Sequence, residues 1–351
     1  MPFLKNLWYV AANAYELDEP MVSRKICNEQ ILMFRTSSGE VAAMDDKCPH
    51  RFVKLSLGKR VGDNVQCGYH GLAFGRDGSC VDMPNDPEYA IPPCVKSYPA
   101  VERYGVIWLW MGDKERADPA KIPAFDFITD PDFAVSQGVS HYKANYQLFT
   151  DNLLDLSHVH YLHPHLHQGA QFAHFENKLK VEGDTIWSML WRHRYPVTES
   201  SREMWGMDVD EVEGQGHSRW NAPSLMYVPT AFWEHGKTID EGIQSPSAHL
   251  ITPETEYTSH YFWAIGRNYR QDDEEISRRN SEGVKFVFDT QDGPMIESQQ
   301  QAMGLSTDFL DHKPVILKAD AAGVMARRML KRWIKEEQRE AEASPEAIAA
   351  E

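Results

Sequence analysis

The chain has 351 residues, of which 42% are hydrophobic and 25% charged, a length that suits about two globular domains. Its formal net charge of −16 argues against a general nucleic-acid binder and against adhesion to an anionic membrane, because both need a basic face. The amino-terminal MPFLKNLWYVAAN lacks the apolar core of a signal peptide, and the apolar run VIWLWM is too short to span a bilayer, so we expect a cytoplasmic protein.

Residues 1–115 carry short apolar or alternating runs separated by turn residues. The runs are ILMFR, VAAMDD, NVQCGY, LAFGRDGSCVDM and GVIWLWMG. Within the fourth run, RDGS is a hairpin signal with glycine where a positive φ is wanted. This part therefore predicts an all-β domain. A Pro- and Asp-rich stretch from Asp113 to Asp132 predicts a boundary, so that residues 116–351 form a second domain.

The β-rich part contains two close pairs of one cysteine and one histidine. Cys48-Pro49-His50 is followed, after sixteen residues, by Cys67-Gly68-Tyr69-His70, which gives the pattern C-x-H-x16-C-x2-H. The chain has five cysteines, an odd number that disfavours a disulfide framework and favours metal ligands among them. The other three match no ligand spacing and are expected to be small hydrophobic residues: Cys27, Cys80 and Cys94.

Two metal sites compete for this pattern. A structural zinc site also accepts two Cys and two His, but its usual spacing pairs like with like. Here each turn supplies one of each, which favours a Rieske [2Fe–2S] cluster with two thiolates on one iron and two imidazoles on the other. The alternative to both is four unrelated core residues.

A second histidine-rich stretch, DNLLDLSHVHYLHPH, spans residues 151–165. On a helix Asp151, Asp155 and His158 would share one face, since they are four and three residues apart. His158 and His163 are five apart, roughly 140° around an ideal helix, so they cannot point one way without distortion. Since a residue before proline disfavours helix, we predict irregular backbone from Tyr161 to Pro164.

The remainder of the second domain alternates strand-like and helical runs. The strand-like runs are TIWSMLWRHRY, PSLMYVPTAFWEH, SAHLITPET and TSHYFWAIGRNY. The helical runs are DEEISRRNSEGVKFVFDTQDGPMIESQQQAM and ADAAGVMARRMLKRWIKEEQRE, the latter decaying into an Ala/Glu tail. The pattern predicts an α+β domain in which an antiparallel sheet is covered by helices on one side.

Two histidines and one distant carboxylate form the facial triad of non-haem iron(II) oxygenases. The stretch FDTQDGPMIESQQQ offers Asp289 and Asp292 as the carboxylate. We expect the other histidines of the 151–167 region to be solvated or packed: His160, His165 and His167.

The order of the two motifs resembles that of a known enzyme family. A C-x-H…C-x2-H pattern followed about 85 residues later by D-x2-H-x4-H resembles the oxygenase subunits of Rieske non-haem iron aromatic oxygenases. NLWYVAA, CPHRF, YHGLAF and ITPET look most like the vanillate O-demethylase and dicamba monooxygenase branch. The resemblance implies a Rieske cluster on Cys48, His50, Cys67 and His70, and a mononuclear Fe(II) on His158, His163 and Asp292, which fits the family better than Asp289.

The resemblance also implies an assembly. In this family Asp155 would bridge the iron ligand His158 to the cluster ligand His70 of the partner subunit, in a head-to-tail homotrimer. Asn152 lies where this branch often has a polar group near the iron.

The resemblance further implies an O2-dependent O-demethylation of a methoxylated aromatic acid, giving a phenol and formaldehyde. The chain has no G-x-G-x-x-G element, so electrons would come from a separate reductase, with or without a ferredoxin. Ring dihydroxylation, methyl hydroxylation and N-demethylation stay open. A non-enzymatic iron–sulfur carrier would not need residues 151–163 or the late Asp.

The substrate pocket is expected in the second domain. Tyr227, Phe232 and Trp233 could stack on an aromatic ring, although such residues are also ordinary core. Asn221 and His249 could fix a carboxylate or phenol oxygen, because a pocket for a polar aromatic molecule needs a few hydrogen-bond donors.

Overall fold

The computed structural model describes residues 3–88, 94–164 and 174–343. The chain divides into two compact units, one of residues Phe3–Ile122 and one that begins at Pro123. None of the described helices combines the length and the apolar character needed to cross a membrane. His165 and His167 lie outside the described residues.

The first unit is built from three antiparallel sheets. Their strand orders are β1-β10-β9, β2-β3-β4 and β5-β6-β7-β8. The bounds are β1 Trp8–Asn13, β2 Val22–Ile26, β3 Glu29–Arg35, β4 Val41–Asp45, β5 Lys59–Val61, β6 Asn64–Gln66, β7 Ala73–Phe74, β8 Cys80–Asp82, β9 Ala100–Arg103 and β10 Val106–Trp110. The predicted all-β character is confirmed, and Gly78 of the RDGS turn has a φ of +85°.

Two glycines allow the loops before β5 and after β6 to approach each other closely. A Cβ on Gly58 would lie 2.0 Å from the Gln66 carbonyl oxygen, and one on Gly68 would lie 2.9 Å from that of Leu57. Any larger residue would push these loops apart. The close approach brings Cys48 and Cys67 into one buried cluster of the core.

The second unit contains one large antiparallel sheet, of order β11-β18-β17-β16-β14-β13-β12, in which β15 pairs with β13 and β16. The bounds are β11 Ala134–Tyr142, β12 His174–Glu182, β13 Thr185–Pro196, β14 Glu211–Gly216, β15 Ser218–Asn221, β16 Leu225–Trp233, β17 Ile243–Pro253 and β18 Ser259–Arg267. All four predicted strand-like runs are confirmed as strands of this sheet.

Six α-helices are found among the residues that the structure describes: α1 Tyr146–Leu154, α2 Val159–Leu162, α3 Glu199–Trp205, α4 Glu274–Val287, α5 Gly293–Met303 and α6 Ala321–Glu342. A π-helical segment, Phe288–Asp292, joins α4 to α5. The α+β class is confirmed.

The two faces of the large sheet have different surroundings, because side chains alternate along each strand. On one face His249 and Tyr261 pack against Phe288 of the π-helical segment. We call this the helix face. On the opposite face Tyr227 packs against Phe127, with ring centroids 5.8 Å apart. The helix face is therefore the face of the sheet against which the helices with the metal-binding motif pack.

Candidate metal centres

His158, His163 and Asp292 converge on one point. Each offers one ligand atom within 4.8 Å of the others, and among the described residues they form the one such set of three or more metal-liking side chains. His158 Nε2 lies 3.5 Å from Asp292 Oδ1, and His163 Nε2 lies 3.2 Å from Asp292 Oδ2. The side chains of His163 and Asp292 are buried, while that of His158 is 22% exposed.

The backbone explains how two histidines five residues apart face the same point. Helix α1 ends at Leu154, Asp155 is extended (φ −86°, ψ 98°), and α2 starts again at Val159. The expectation that Asp151, Asp155 and His158 share a face of one helix is therefore wrong. The prediction of irregular backbone from Tyr161 to Pro164 is confirmed at His163, which has φ −119° and ψ 52°, and is wrong for Tyr161 and Leu162, which belong to α2.

Asp292 is the last residue of the π-helical segment between α4 and α5. Such widened turns are rare and frequent at functional sites. The next residue, Gly293, is packed so closely that a Cβ would lie 2.3 Å from the Phe288 carbonyl oxygen. Asp289, the rival carboxylate, points elsewhere: it accepts hydrogen bonds from Tyr142 Oη (2.8 Å) and Lys285 Nζ (2.5 Å).

The outer atoms of the three side chains are held by hydrogen bonds. His163 Nδ1 lies 2.7 Å from Gln291 Oε1, and His158 Nδ1 contacts the Asp155 carbonyl oxygen. Since both partners are acceptors, each Nδ1 carries the proton and each Nε2 is left free to bind a metal. Two imidazoles and one carboxylate fit the donor set of a non-haem iron(II) site.

The second set of candidate ligands lies in the first unit. Cys48 and Cys67 are 1% and 2% exposed, and they are within hydrogen-bonding contact. The rings of His50 and His70 are 4.5 Å apart between centroids and lie nearer the surface. Burial raises the pKa of the Cys48 thiol, so a thiolate there needs the charge of a metal to stabilise it.

The spacing of these four side chains discriminates between zinc and a cluster. Around one tetrahedral zinc ion all four donor atoms would lie within about 4 Å of one another. In the described part of the chain, no three of these side chains bring their donor atoms within 4.8 Å of one another, as His158, His163 and Asp292 do. Thiols paired at one end and imidazoles at the other fit a two-iron cluster.

Comparisons with known proteins agree with both sets. The family model of the Rieske [2Fe-2S] domain matches residues 7–99, and that of the vanillate O-demethylase oxygenase C-terminal domain matches residues 142–336. The chain belongs to the Rieske non-haem iron oxygenases of the vanillate O-demethylase and dicamba monooxygenase branch. It is thus an oxidoreductase, the oxygenase component of a monooxygenase system.

Three relatives illustrate the range of the family. The oxygenase component of chloroacetanilide N-alkylformylase from Rhizorhabdus wittichii is 35% identical, over 99% of both chains. The vanillate O-demethylase oxygenase subunit of a Pseudomonas species is 34% identical, over 97% of this chain and 98% of the relative. The crystal structure of dicamba monooxygenase bound to 3,6-dichlorosalicylic acid has a TM-score of 0.86 at 31% identity, covering 96% of this chain and 99% of the other.

Of the predicted substrate-binding residues in this Rieske oxygenase, His249 lies on the helix face. Its Nδ1 is 2.5 Å from Tyr261 Oη, and its Nε2 is 2.9 Å from Ser247 Oγ. Burial lowers the pKa of His249 to about 4, against a smaller opposing effect of the Asp292 charge. His249 is therefore a neutral hydrogen-bonding group at neutral pH.

Three other predicted substrate-binding residues do not reach the helix face. Tyr227 and Trp233 alternate with the helix-facing residues of β16, and Tyr227 is packed beneath the sheet. Asn221 donates from Nδ2 to Thr185 Oγ1 at 2.8 Å, also away from His249. Phe232 lies on the helix face but stacks on Trp205, 4.8 Å away, within a core cluster.

The polar residues predicted beside the iron occupy two different positions. Asn152 donates from Nδ2 to Asp292 Oδ1 at 3.0 Å, so it contacts the triad directly. The Asp155 carboxylate instead accepts hydrogen bonds from the backbone N–H and hydroxyl of Ser157. Within one chain, Asp155 therefore reaches His158 through its carbonyl oxygen.

Sequence reasoning missed the residues that support the site. Gln291 beside His163, and Tyr261 and Ser247 beside His249, carry no motif. Strand alternation alone could have found Ser247, because positions 247 and 249 share a face, whereas Tyr261 lies on β18 and is placed by the register of the two strands.

Proposed function

We propose that this chain is the terminal oxygenase of a multicomponent Rieske monooxygenase that O-demethylates a methoxylated aromatic acid. The observation that carries the proposal is the convergence of His158, His163 and Asp292, in a chain that also pairs two buried thiols with two imidazoles. Family membership supports the same chemistry, because the relatives include a vanillate O-demethylase and dicamba monooxygenase.

The proposal assigns the metal ligands residue by residue. His158, His163 and Asp292 would hold the mononuclear iron(II), while the [2Fe–2S] cluster would be held by Cys48, Cys67, His50 and His70. When bound, these groups supply O2 activation and the transfer of single electrons. The assignment of residues 1–115 and 116–351 to the cluster and the catalytic domain is part of the proposal.

In the proposed reaction the methoxy carbon of the substrate is oxidised by O2 with two electrons and two protons. One oxygen atom leaves as water, and the hydroxylated methyl group leaves as formaldehyde, freeing the phenol. The chain's part is to place that carbon and to exclude other chemistry. Asn152 would hold Asp292 in orientation through its hydrogen bond. His249 would exchange its Nε2 contact with Ser247 for a hydrogen bond to a polar substituent of the ring.

A second reaction outcome has support from one relative. The name of the Rhizorhabdus protein, chloroacetanilide N-alkylformylase, refers to an attack on an N-alkyl group of an anilide. Hydroxylation of a carbon next to nitrogen uses the same donor set as hydroxylation of a methoxy carbon. N-demethylation therefore stays the alternative, together with methyl hydroxylation and ring dihydroxylation.

We also propose a head-to-tail homotrimer in which the cluster end of one subunit docks on the catalytic unit of the next. Large apolar side chains are exposed beside both sites: Phe52 (71%), Leu57 (76%) and Tyr69 (60%) near the cluster ligands, and Tyr161 (89%) and Met295 (55%) near the triad. Exposed apolar groups of this size are typical of interaction surfaces.

A groove beside the triad is the proposed docking site for the second copy. It has a volume of about 840 Å³ and is lined by Asp155 and His158 among others. In a trimer, Asp155 could bridge His158 to His70 of the partner subunit and so orient both imidazoles. A separate reductase, with or without a ferredoxin, would supply electrons in the cytoplasm.

The test compares two carboxylates, Asp292 and Asp289, that are three residues apart in the sequence but have different contacts. Asp292→Asn is expected to lose the mononuclear iron and formaldehyde release from methoxybenzoates, while the visible absorption of the cluster stays unchanged. The matched control Asp289→Asn should keep three irons per chain and its turnover. The proposed reaction is refuted if the wild-type enzyme, supplied with a reductase and fully loaded, releases no formaldehyde from any methoxylated acid.

A further inference from the structure

Arg192 on β13 is a buried cation, and no acidic partner for it is found among the residues that the structure describes. The residue is 8% exposed, and its Nε and Nη1 atoms have no hydrogen-bond partner. Burial lowers its pKa to about 10, and the one described group that opposes this shift is Tyr195, which is neutral at pH 7. Arg192 therefore keeps its charge at neutral pH in a site that solvates it poorly.

Such a group is costly unless something compensates it. A buried charge without a partner and without satisfied N–H groups is strongly unfavourable. The rings of Phe232 and Tyr195 lie 5.6 and 5.9 Å from the guanidinium carbon and stabilise the cation in part. They accept no strong hydrogen bonds, so two N–H donors are left for an oxygen ligand.

The side chain lies on the helix face of the sheet. Arg192 pairs with Gly214, Gly214 with Phe232, and Phe232 with Ile243, so these four residues share one face. Position 249 follows position 243 by an even number of residues on β17, and therefore faces the same way. Arg192 and His249 thus both lie on the helix face of the sheet.

Two further contacts locate the Arg192 side chain on the sheet. A Cβ on Gly216 would lie 2.5 Å from Arg192 Nη1, so the guanidinium extends across β14 in space that glycine leaves open. On the other side, Phe175 is paired with Arg192, and its ring lies 5.1 Å from that of His160. Arg192 is therefore a cross-strand neighbour of the residue that packs against His160 of α2.

The separation of Arg192 and His249 along the sheet matches the length of a single aromatic ring with its substituents. The guanidinium lies over β14, two strands from β17, and its neighbour Gly216 is in register with Ser245, by way of Thr230. With strands about 4.8 Å apart and a rise of about 3.3 Å per residue, Ser247 is about 12 Å away. A ring with one hydrogen-bonded group at each end has about this length.

We propose that Arg192 binds the anionic group of the substrate, a carboxylate or sulfonate on the aromatic ring. The inference rests on the proposed function and adds the residue that would pair with the acid group of the substrate. His249 is neutral, so it can offer a hydrogen bond but no charge to an anion. The charge comes from Arg192, and binding of the anion supplies the acceptors that its N–H groups lack.

The test measures binding of simple anions and their neutral isosteres to the holoenzyme by isothermal titration calorimetry. The probes are benzoate against benzamide and benzenesulfonate against benzenesulfonamide. We expect the wild-type enzyme to bind at least one anion tenfold or more tightly than its neutral partner. Arg192→Met should weaken that anion at least tenfold and change the neutral probe less than twofold, while Arg192→Lys should keep part of the preference.

The matched control is Arg219→Met in the same sheet. Arg219 lies on the opposite face, over the rings of Phe125 and Tyr227, and should leave both affinities unchanged. Arg192→Met should not lower the melting temperature, because it removes an unpaired buried charge. A lowered melting temperature with equal loss of both probes would show a structural role and overturn the proposal.

Further outcomes separate this inference from the proposed reaction. Absence of anion binding by the wild-type enzyme, or unchanged anion affinity in Arg192→Met, overturns the anion site even if formaldehyde is released. Arg192-dependent binding of benzoate without formaldehyde from any methoxybenzoate supports the anion site and refutes the demethylation.

Discussion

A buried ion pair between α1 and α6 gives the sharpest stability prediction. Arg327 Nε lies 2.9 and 2.8 Å from the two oxygens of Asp151, and its Nη2 contacts the second one. The Arg327 side chain is 1% exposed, and burial raises the pKa of Asp151 against the lowering effect of the Arg327 charge. Arg327→Met would leave the carboxylate buried and without this cation.

The expected cost follows from the full burial of Arg327 and the partial burial of Asp151, whose side chains are 1% and 22% exposed. Removing one partner of a buried pair costs about 3–5 kcal/mol, because the other charge stays desolvated. In a unit of more than 200 residues, about 1 kcal/mol shifts the melting temperature by roughly 2–4 °C, so Arg327→Met should lower it by roughly 6–20 °C. Replacing both members, in Asp151→Leu/Arg327→Met, should recover most of the loss.

The assay is scanning calorimetry of the holoenzyme at one scan rate, with Lys331→Met as the matched control. Lys331 also projects from α6 toward an acid, Asp308 at 2.9 Å, but its side chain is 54% exposed. An exposed pair of this kind contributes about 0–1 kcal/mol, so the control should move the melting temperature by less than about 4 °C. The reasoning fails if Arg327→Met matches the control, or if the double variant is no more stable than the single one.

Three further predictions concern the site. Gly293→Ala should reduce the occupancy of the mononuclear iron and leave the cluster absorbance unchanged, because its Cβ would lie 2.3 Å from the Phe288 carbonyl oxygen. The control Gly283→Ala in α4, which has open space around it, should keep its iron content and its cluster absorbance, and equal iron contents in the two variants would contradict the prediction. Burial lowers the pKa of His249 to about 4 in the folded protein, whereas in the unfolded chain its pKa is about 6.5, so the free energy of unfolding should fall by up to about 3 kcal/mol as the pH drops from about 6.5 toward 4. The urea unfolding midpoint of His249→Gln should fall less over the same range, and parallel pH profiles of the two proteins would contradict this. Asp155→Asn should keep the oligomer in gel filtration and its metal content but lose formaldehyde release tenfold or more; unchanged turnover would contradict the bridging role.

The ligand positions could be predicted because both metal motifs are local in sequence. Cys48 and His50, like Cys67 and His70, sit on single tight turns, so spacing alone indicates that they act together. Asp292 is different, since helical spacing covers residues 273–303 evenly and gives no sign of the π-helical segment. The widened turn places Gly293 where a Cβ would lie 2.8 Å from the Tyr142 ring, and this close packing against a distant strand is a tertiary feature that periodicity does not carry.

The substrate side could not be predicted in the same way. Alternation identifies which residues of a strand share a face, but it does not say which face the helices cover. Tyr227 and Trp233 were placed in the pocket by their ring chemistry, and the register of β16 puts them on the side away from His249. The sequence pattern around Arg192 predicts only a strand residue. Its unusual environment can be recognised only from the structure, because the sequence does not show whether an acidic residue lies nearby.

In the proposed enzyme the metal ligands would determine the type of oxidation, and the residues on the helix face of the sheet would determine the substrate. A relative whose name refers to a chloroacetanilide and one named for vanillate both align over nearly the whole chain, so neither family membership nor the triad separates a neutral substrate from an acid. A neutral anilide would leave the charge of Arg192 unpaired, so the buried guanidinium would not contribute to the affinity for that ligand. The carboxylate of an aromatic acid would pair with the charge and accept hydrogen bonds from the N–H groups of Arg192. Because a hydrogen-bonding site rejects ligands that leave its buried polar groups unpaired, Arg192 favours the acid.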